Sequence, residues 1–358
     1  MDREPALEAA ISADPDERSG YEVYADWLAE RGDPRGEFIQ VQLALELAED
    51  PALREREREL LKAHEADWLG HLDWLVRVRA RWRRGFVERI EVLTAYQSTE
   101  PAQAWTLLAE LPSLIAVREA ELGVGLSHHG RPPDDISLLE ALRDHPAATL
   151  RTILFSAFDD QLAWTHIGDI SIANAALANI EAMTVTAGRI TLGAIDLPRL
   201  RRLALICGGL NAHVPASIAT ARWPALEELT VYFGREEYGG DCTLASALPL
   251  LAGNNLPRVT SLGLANSEFG DGLAQAIPDA AILPRLRRLD LSLGTMGDEG
   301  GRALLAHADR LAHLEVLDLG ENYLSAEVAR EIVARLPQAR VADQKIEDEY
   351  GRYTSIGE

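Results

Sequence analysis

The segment Leu286-Arg287-Arg288-Leu289-Asp290-Leu291 carries the pattern that decides the fold, Leu-x-x-Leu-x-Leu. The pattern occurs five times, with valine in place of leucine at some positions, and its copies begin at Leu200, Leu226, Val259, Leu286 and Leu314. Successive copies begin 26, 33, 27 and 28 residues apart (226−200, 259−226, 286−259 and 314−286). Because five copies in register at this spacing are improbable by chance, the chain is built from internal repeats.

The pattern predicts one short parallel strand per repeat, whose leucines face a core and whose remaining residues return as a helix. The segment 297–305 is typical of such a helix, with Asp298 suited to the N-cap and Leu304 and Leu305 facing the core. One repeat cannot bury its own apolar face, so neighbouring repeats must stack. The longest spacing, 33 residues, indicates an insertion at 234–241, which we expect to project from the rim.

Repeats of roughly 20–29 residues with this pattern are leucine-rich repeats. The fold class predicted is therefore α/β, a leucine-rich-repeat solenoid with a curved parallel sheet and helices on its convex side. The solenoid is expected over residues 76–340, with less regular copies beginning at Val87, Leu114, Leu150 and Ile180. Residues 341–358 are expected to form a C-terminal capping tail.

Residues 1–75 have a helical period instead. Tyr21, Tyr24, Ala25 and Leu28 stand at positions i, i+3, i+4 and i+7, which predicts an amphipathic helix. A strong turn follows at 32–36, and two more helices are predicted near 38–48 and 52–68. The chain should therefore begin with a small all-α N-terminal domain.

Residues 76–83 change to a period of two, with apolar residues alternating with arginine. Arg84-Gly85 can turn the chain, and 86–92 has the pattern of a second strand. We expect a hairpin that caps the N-terminal end of the repeats. The arginines from Arg77 to Arg83 form either a solvated strand face or a basic docking patch on an acidic protein.

The segment Tyr24-Ala25-Asp26-Trp27-Leu28-Ala29-Glu30-Arg31-Gly32-Asp33-Pro34-Arg35-Gly36-Glu37-Phe38-Ile39 resembles the bacterial repeat-companion domain, an N-terminal module found beside variable repeats. Residues 83–89 and Gly351-Arg352-Tyr353 resemble segments of the same proteins. The repeats themselves resemble the ribonuclease-inhibitor-like subclass, and Asn322 takes that subclass's asparagine position three residues after Leu319, which the other strong repeats mostly lack. The two resemblances span nearly the whole chain; they imply architecture and no catalytic residues.

Charge and composition exclude several classes of function. The net charge is −22 and the isoelectric point is about 4.8, so the surface would repel nucleic acid and anionic membranes. No run of 18 apolar residues and no signal-peptide pattern occurs, so neither a membrane span nor export is expected. Cys207 and Cys242 match no metal or redox spacing. The sequence therefore predicts a cytoplasmic protein.

Residues that could carry chemistry are few. His128-His129, with Asp134 or Asp135, suggest a metal site, but adjacent residues in one loop rarely chelate well. The acidic pair Asp159-Asp160 has no nucleophile or cation near it in the sequence and is typical of a turn. Phosphate-loop, dinucleotide and nucleophile-elbow motifs do not occur. We therefore predict no catalytic residue, no metal, no cofactor and no enzymatic activity.

A solenoid presents the outward residues of its strands in rows, which favours binding of another protein on the concave face. Exposed Tyr and Arg are typical interface anchors. An alternative is a regulator of a small GTPase or another enzyme that acts through the same repeats, as some ribonuclease-inhibitor-like repeats do. A further alternative is that Arg288 and Asp290 simply neutralise each other. The candidate partner-binding residues are Arg202, Glu228, Tyr232, Arg288, Asp290 and Asp318.

Overall fold

The computed structural model describes residues 3–72, 75–93, 101–124, 136–157, 162 and 165–357. These residues form two units. Unit 1 holds the described residues up to 124 together with 136–154 and 175–180, and unit 2 holds 155–174 and 181–357 where they are described.

Helices and strands occur in both units. The helices are α1 (Pro5–Ala13), α2 (Arg18–Ala29), α3 (Pro34–Leu47), α4 (Pro51–Trp68), α5 (Pro101–Ala109), α6 (Ser137–Asp144), α7 (His213–Thr220), α8 (Leu244–Ala252), α9 (Gly270–Ala276), α10 (Asp298–Ala306), α11 (Ala308–Leu311) and α12 (Ala326–Arg335). The strands are β1 (Arg77–Arg83), β2 (Phe86–Leu93), β3 (Glu119–Gly123), β4 (Thr152–Ser156), β5 (His166–Asp169), β6 (Ala182–Thr186), β7 (Arg189–Thr191), β8 (Arg202–Ile206), β9 (Glu228–Gly234), β10 (Ser261–Ser267), β11 (Arg288–Asp290), β12 (Val316–Asp318) and β13 (Ala339–Arg340).

The strands of unit 2 form a parallel sheet in the order β6-β8-β9-β10-β11-β12-β13. The second leucine of each repeat lies in register with the next: Leu203, Leu229, Leu262, Leu289 and Leu317. The apolar positions of all five strong copies are buried, none more than 4% exposed. The α/β class is therefore confirmed, with a large and mostly parallel sheet.

Glycine takes the asparagine position in three of the five strong repeats, at Gly208, Gly234 and Gly294. A Cβ atom on Gly234 would lie 1.8 Å from the carbonyl oxygen of Gly208. A Cβ atom on Gly294 would lie 2.9 Å from the carbonyl oxygen of Ser267. The departure from the repeat pattern thus has a steric cause, since these loops approach one another too closely for any side chain.

The one asparagine in that position is buried and joins two repeats. The Asn322 side chain accepts a hydrogen bond from the Met296 N–H at 3.0 Å and donates to the carbonyl oxygens of Leu291 and Leu319 at 2.9 and 3.1 Å. The loop after β12 is therefore held to the loop after β11 through side-chain bonds to the backbone.

Replacing Asn322 by alanine should cost about 1–3 kcal/mol, because buried backbone groups of two repeats lose their partner. Asn254 is exposed, so Asn254→Ala should change stability by less than about 0.5 kcal/mol. Urea unfolding of both variants measures the difference. Equal unfolding midpoints would show that the Asn322 bonds do not stabilise the loops.

The return helices of unit 2 pack side by side in chain order, from α7 to α10 and on to α12. Gly301 makes room for this, because a Cβ atom there would lie 2.6 Å from a methyl group of Val328. Ser325 caps α12 by accepting a hydrogen bond from the Val328 N–H at 3.3 Å. Asp298 is the first residue of α10 and not its cap; its carboxylate accepts from the Ser325 N–H of the next repeat at 2.7 Å.

In unit 1, the hairpin predicted at 76–92 is confirmed, since β1 and β2 pair antiparallel. Side chains of this hairpin lie in the two hydrophobic clusters that helices α1–α4 form. One face of α3 packs with α1, α2 and Phe86, and the opposite face packs with α4 and Trp82. The Phe38 ring lies 4.9 Å from that of Trp68 and 5.7 Å from that of Trp82.

The turn between β1 and β2 packs against α3. Arg84 and Gly85 both have positive φ, 53° and 77°, as expected for a tight hairpin turn. The Gly85 N–H donates to the Gln42 side chain at 2.7 Å. Gly36 lets α2 and α3 touch, because a Cβ atom there would lie 2.7 Å from the Ala25 carbonyl oxygen. The residues of the repeat-companion resemblance thus lie in the contacts between α2, α3 and the hairpin.

The predicted boundaries at residues 75 and 340 stay predictions. The shared clusters show that the helices of residues 1–75 bury side chains of the hairpin that follows them. A fragment ending at residue 75 would therefore expose Phe38 and Trp68.

The insertion at 234–241 packs more closely than expected. The Arg235 N–H donates to the Gly208 carbonyl oxygen at 2.7 Å, and the Asp241 N–H donates to that of Leu210 at 3.2 Å. Gly240 is buried, and only Glu236, Glu237, Gly239 and Asp241 are exposed. The expectation of a projecting loop is wrong, because backbone bonds hold this segment to the preceding repeat.

Candidate binding surface

The exposed face of the unit 2 sheet is built by the residues that alternate with the buried leucines. Parallel pairing places them in two rows across the strands. The first row consists of Arg202, Glu228, Ser261, Arg288 and Val316. The second row consists of Ala204, Thr230, Gly263, Asp290, Asp318 and Arg340.

The predicted residues are brought together on this face. Arg202, Glu228 and Arg288 are exposed in the first row, and Asp290 and Asp318 are half-buried in the second. Tyr232 lies one alternate position further along β9, where its register neighbour is Ala265.

The arginines of the first row have no carboxylate partner within 4 Å among the described residues. The preceding arginines differ, although each is only one position away. Arg201 is bonded to Glu227 at 2.9 Å, and Arg287 is paired with Glu315. Arg202 and Arg288 therefore present guanidinium groups whose donors remain open to a bound molecule.

The aspartates of the second row accept hydrogen bonds from backbone N–H groups that lie just after their own strands. Asp290 accepts a hydrogen bond from the Ser292 N–H at 2.8 Å, and Asp318 accepts from the Gly320 N–H at 3.0 Å. Burial raises the pKa of the Asp290 carboxyl, the bonds from Ser292 oppose that shift, and the charge of Asp318 adds to it. Asp290 thus bonds to the backbone at Ser292, and no ion pair joins it to Arg288 within the described part of the chain.

Tyr232 lies at the acidic side of the face. Burial raises the pKa of its phenol, and the nearby carboxylates of Asp290, Glu321 and Asp318 raise it further. The hydroxyl group is therefore protonated at neutral pH and can both donate and accept a hydrogen bond.

The repeat pattern did not predict Arg340 and Glu321. Arg340 is exposed and pairs in register with Asp318, which extends the second row by one strand. Its signal was one more degenerate copy of the pattern, Leu336-x-x-Ala339-x-Val341. Glu321 follows β12 in a left-handed turn (φ 50°), which the repeat pattern alone does not place.

The arginine strand of unit 1, β1, is lined by glutamates. Arg81 is paired with Glu88 at 3.1 Å, Arg83 with Glu46 at 3.3 Å, and Arg79 with Glu91 at 3.8 Å. Glutamates thus offset most of the positive charge of β1, which favours the solvated strand face over a basic docking patch.

Metal ligands do not gather in the described residues, where no three His, Cys, Asp or Glu side chains lie close enough to hold an ion. His128, His129, Asp134, Asp135, Asp159 and Asp160 lie outside the described residues. Burial raises the pKa of Cys207 to about 11 and that of Cys242 to about 12, so neither thiol is ionised at neutral pH. Across the same described ranges, no helix combines the length and apolarity needed to span a membrane.

Comparison with known proteins supports the fold alone. No family model matches the chain, and no curated protein matches it. Among solved structures, the chain is similar to a Bacteroides fragilis protein determined by the Northeast Structural Genomics Consortium. The two share 24% identity with a TM-score of 0.65, over 75% of this chain and 77% of the other.

Proposed function

We propose that this protein is a non-enzymatic leucine-rich-repeat solenoid of the ribonuclease-inhibitor-like kind, preceded by a repeat-companion domain. Its function is to bind another protein through the exposed face of strands β8–β12. The repeat spacing, the aligned leucines and the helix that follows most of these strands support the solenoid. The match of residues 24–39 to the repeat-companion pattern supports the N-terminal assignment.

The observation that carries the binding proposal is the first row of the exposed face. Arg202 and Arg288 stand on strands whose register is set by buried leucines. Held by the sheet, their backbones lose little entropy when a partner binds. Arginine is enriched among the residues that dominate interface energies, and an unpaired guanidinium can bind a carboxylate with two hydrogen bonds.

The charges on this face define the partner's chemistry. Two cationic groups, Arg202 and Arg288, lie on either side of Glu228 and Ser261 in one row. The acidic residues Asp290 and Asp318 lie beside them in the second row. A partner surface that places carboxylates opposite the arginines and a cation opposite the aspartates would be complementary.

The double variant Arg202→Glu/Arg288→Glu should reduce recovery of the native partner from host extract at least about tenfold, since each reversal replaces attraction by repulsion. Arg199→Glu/Arg258→Glu is the matched control, because it makes the same charge change at exposed loop positions before β8 and β10. Quantitative mass spectrometry compares how much of each protein captured by the wild type is also captured by the two variants. Equal recovery by both folded variants would place the partner elsewhere.

A further inference from the structure

A segment near the end of the chain lies across the loops that follow the unit 2 strands. This segment, residues 352–357, is called the strap below. The Tyr353 N–H donates to the Tyr323 hydroxyl at 2.9 Å, and the Ser355 N–H donates to the Leu293 carbonyl oxygen at 2.9 Å. The strap therefore contacts successive repeats with its backbone, one residue after another.

Asn266 is the next contact along the strap. Its side chain accepts from the Ile356 N–H at 2.9 Å and donates to the Ile356 carbonyl oxygen at 2.8 Å. Asn266 is fully buried and has a positive φ of 53°. Whereas Asn322 bonds to its own and a neighbouring loop, the Asn266 amide bonds to the strap as a neighbouring strand would.

The strap passes over Gly208 and beside the ring of Tyr238. A Cβ atom on Gly208 would lie 2.1 Å from the Gly357 carbonyl oxygen. A Cβ atom on Gly357 would lie 2.4 Å from the Tyr238 ring. Gly208 must therefore lack a side chain for the strap to pass, and any side chain at position 357 would have to displace the Tyr238 ring.

Lys345 holds the other end of the strap. Its ammonium group donates to the Tyr353 carbonyl oxygen at 2.8 Å and to the Ser355 hydroxyl at 3.2 Å. It also lies 5.0 Å from the Tyr323 ring centre. Its hydrogen bonds thus go to the strap, as those of the Asn266 side chain do.

The strap itself buries little. Thr354 is its one buried residue, and Arg352, Tyr353, Ser355 and Ile356 are half-buried or exposed. Segments with few buried apolar contacts open locally at a small fraction of the free energy of global unfolding. The groove beneath, by contrast, contains the fully buried Asn266 and the close-packed glycines.

We propose that the groove formed by Tyr323, Leu293, Asn266, Gly208 and Tyr238 is a peptide-binding site, and that the strap is its resident, displaceable ligand. The ligand class is an extended peptide with a small residue, as Gly357 is here, at the position beside Tyr238. Specificity for side chains is low elsewhere, because Leu293 and Asn266 bind backbone groups. The site lies along the strand ends and so goes beyond the function proposed for the exposed sheet face.

The test uses substitutions that displace the strap from the groove while the rest of the chain is kept. Ile356→Pro removes the N–H that Asn266 accepts, and Gly357→Trp, which clashes with Tyr238, is a second way to displace the strap. A fluorescent, amidated peptide with the sequence of residues 350–357 is titrated by anisotropy. It should bind either variant at least tenfold more tightly than the wild type, where the attached strap competes at high effective concentration.

Two matched controls define the mode of binding. Adding Asn266→Ala to the Ile356→Pro variant should weaken the peptide at least tenfold, and a peptide with tryptophan in place of Gly357 should not bind. Absence of peptide binding to both folded variants, or binding indifferent to Asn266, overturns the proposal.

Hydrogen exchange of the wild type gives an independent readout. The amides of Ser355 and Ile356 should exchange at least a hundredfold faster than that of Leu262 in the core. Exchange of strap and core amides at one common rate would show that the strap is a permanent part of the fold. That result would also overturn the proposal.

Discussion

Replacing Gly85 by alanine is expected to destabilise the protein by about 2–5 kcal/mol. The residue has φ 77°, where a Cβ atom costs roughly 1–2 kcal/mol. That atom would also lie 2.1 Å from Cγ1 of Ile39, which is fully buried on α3. Relieving this overlap means moving the hairpin turn away from α3, which adds about 1–3 kcal/mol of the kind that overpacking causes.

Gly32→Ala is the matched control. Gly32 has a similar positive φ of 73°, but nothing lies within 4 Å of a Cβ atom there. The Gly32→Ala variant should therefore lose about 1–2 kcal/mol of its free energy of unfolding from backbone strain alone. Urea unfolding followed by tryptophan fluorescence compares the two, because Trp27 packs against the cluster that contains Ile39, and Trp82 lies on the same hairpin as Gly85. Equal losses would mean that the hairpin turn does not pack on α3.

Leu289→Ala should cost about 2–5 kcal/mol, the range for removing a buried leucine side chain from a well-packed core. Leu289 is 1% exposed and lies in register between Leu262 and Leu317 on the neighbouring strands. The cavity would thus open between three repeats, none of which can close it without shifting its strand.

Leu248→Ala is the control for this variant. Leu248 is 47% exposed on α8, so its truncation should cost less than about 1 kcal/mol. Thermal unfolding monitored by circular dichroism gives both values. An unchanged melting temperature for Leu289→Ala would mean that the register deduced from the repeat pattern is wrong.

The parallel sheet of unit 2 could be predicted because its signal is local and repeated. Each Leu-x-x-Leu-x-Leu copy specifies which residues of its own strand are buried, and a spacing of 26–28 residues, interrupted by one of 33, aligns the copies. The strands β11 and β12 are only three residues long, yet Leu289 and Leu317 locate them. The helices of residues 1–68 were predictable for the same reason, since their apolar period is local.

Contacts between distant residues could not be predicted in the same way. Nothing in the sequence near Gly85 indicates that Ile39, 46 residues earlier (85−39), will lie against it. The alternation of arginine with apolar residues correctly predicted strand β1. The glutamates that pair with these arginines, however, lie on β2 and α3. The bonds between the Asn266 side chain and Ile356 join residues 90 positions apart.

The candidate binding surface was predictable in position but not in detail. The alternation rule placed Arg202, Glu228 and Arg288 on the exposed face, where the structure has them. It could not tell which arginines are free, since Arg201 and Arg202 look alike in sequence and only Arg201 is paired. Nor could it foresee that Asp290 binds the Ser292 N–H, because this bond depends on how the chain leaves β11.

Site-specific photo-crosslinking tests the proposed binding function most directly. A benzoylphenylalanine at Ser261, which lies between Glu228 and Arg288 in the first row, is compared with one at Leu248 on helix α8. We expect a discrete adduct with one host protein from position 261, lost when Arg288→Glu is added, and none from position 248. The same host protein crosslinked from position 248 and not from 261 would contradict the account.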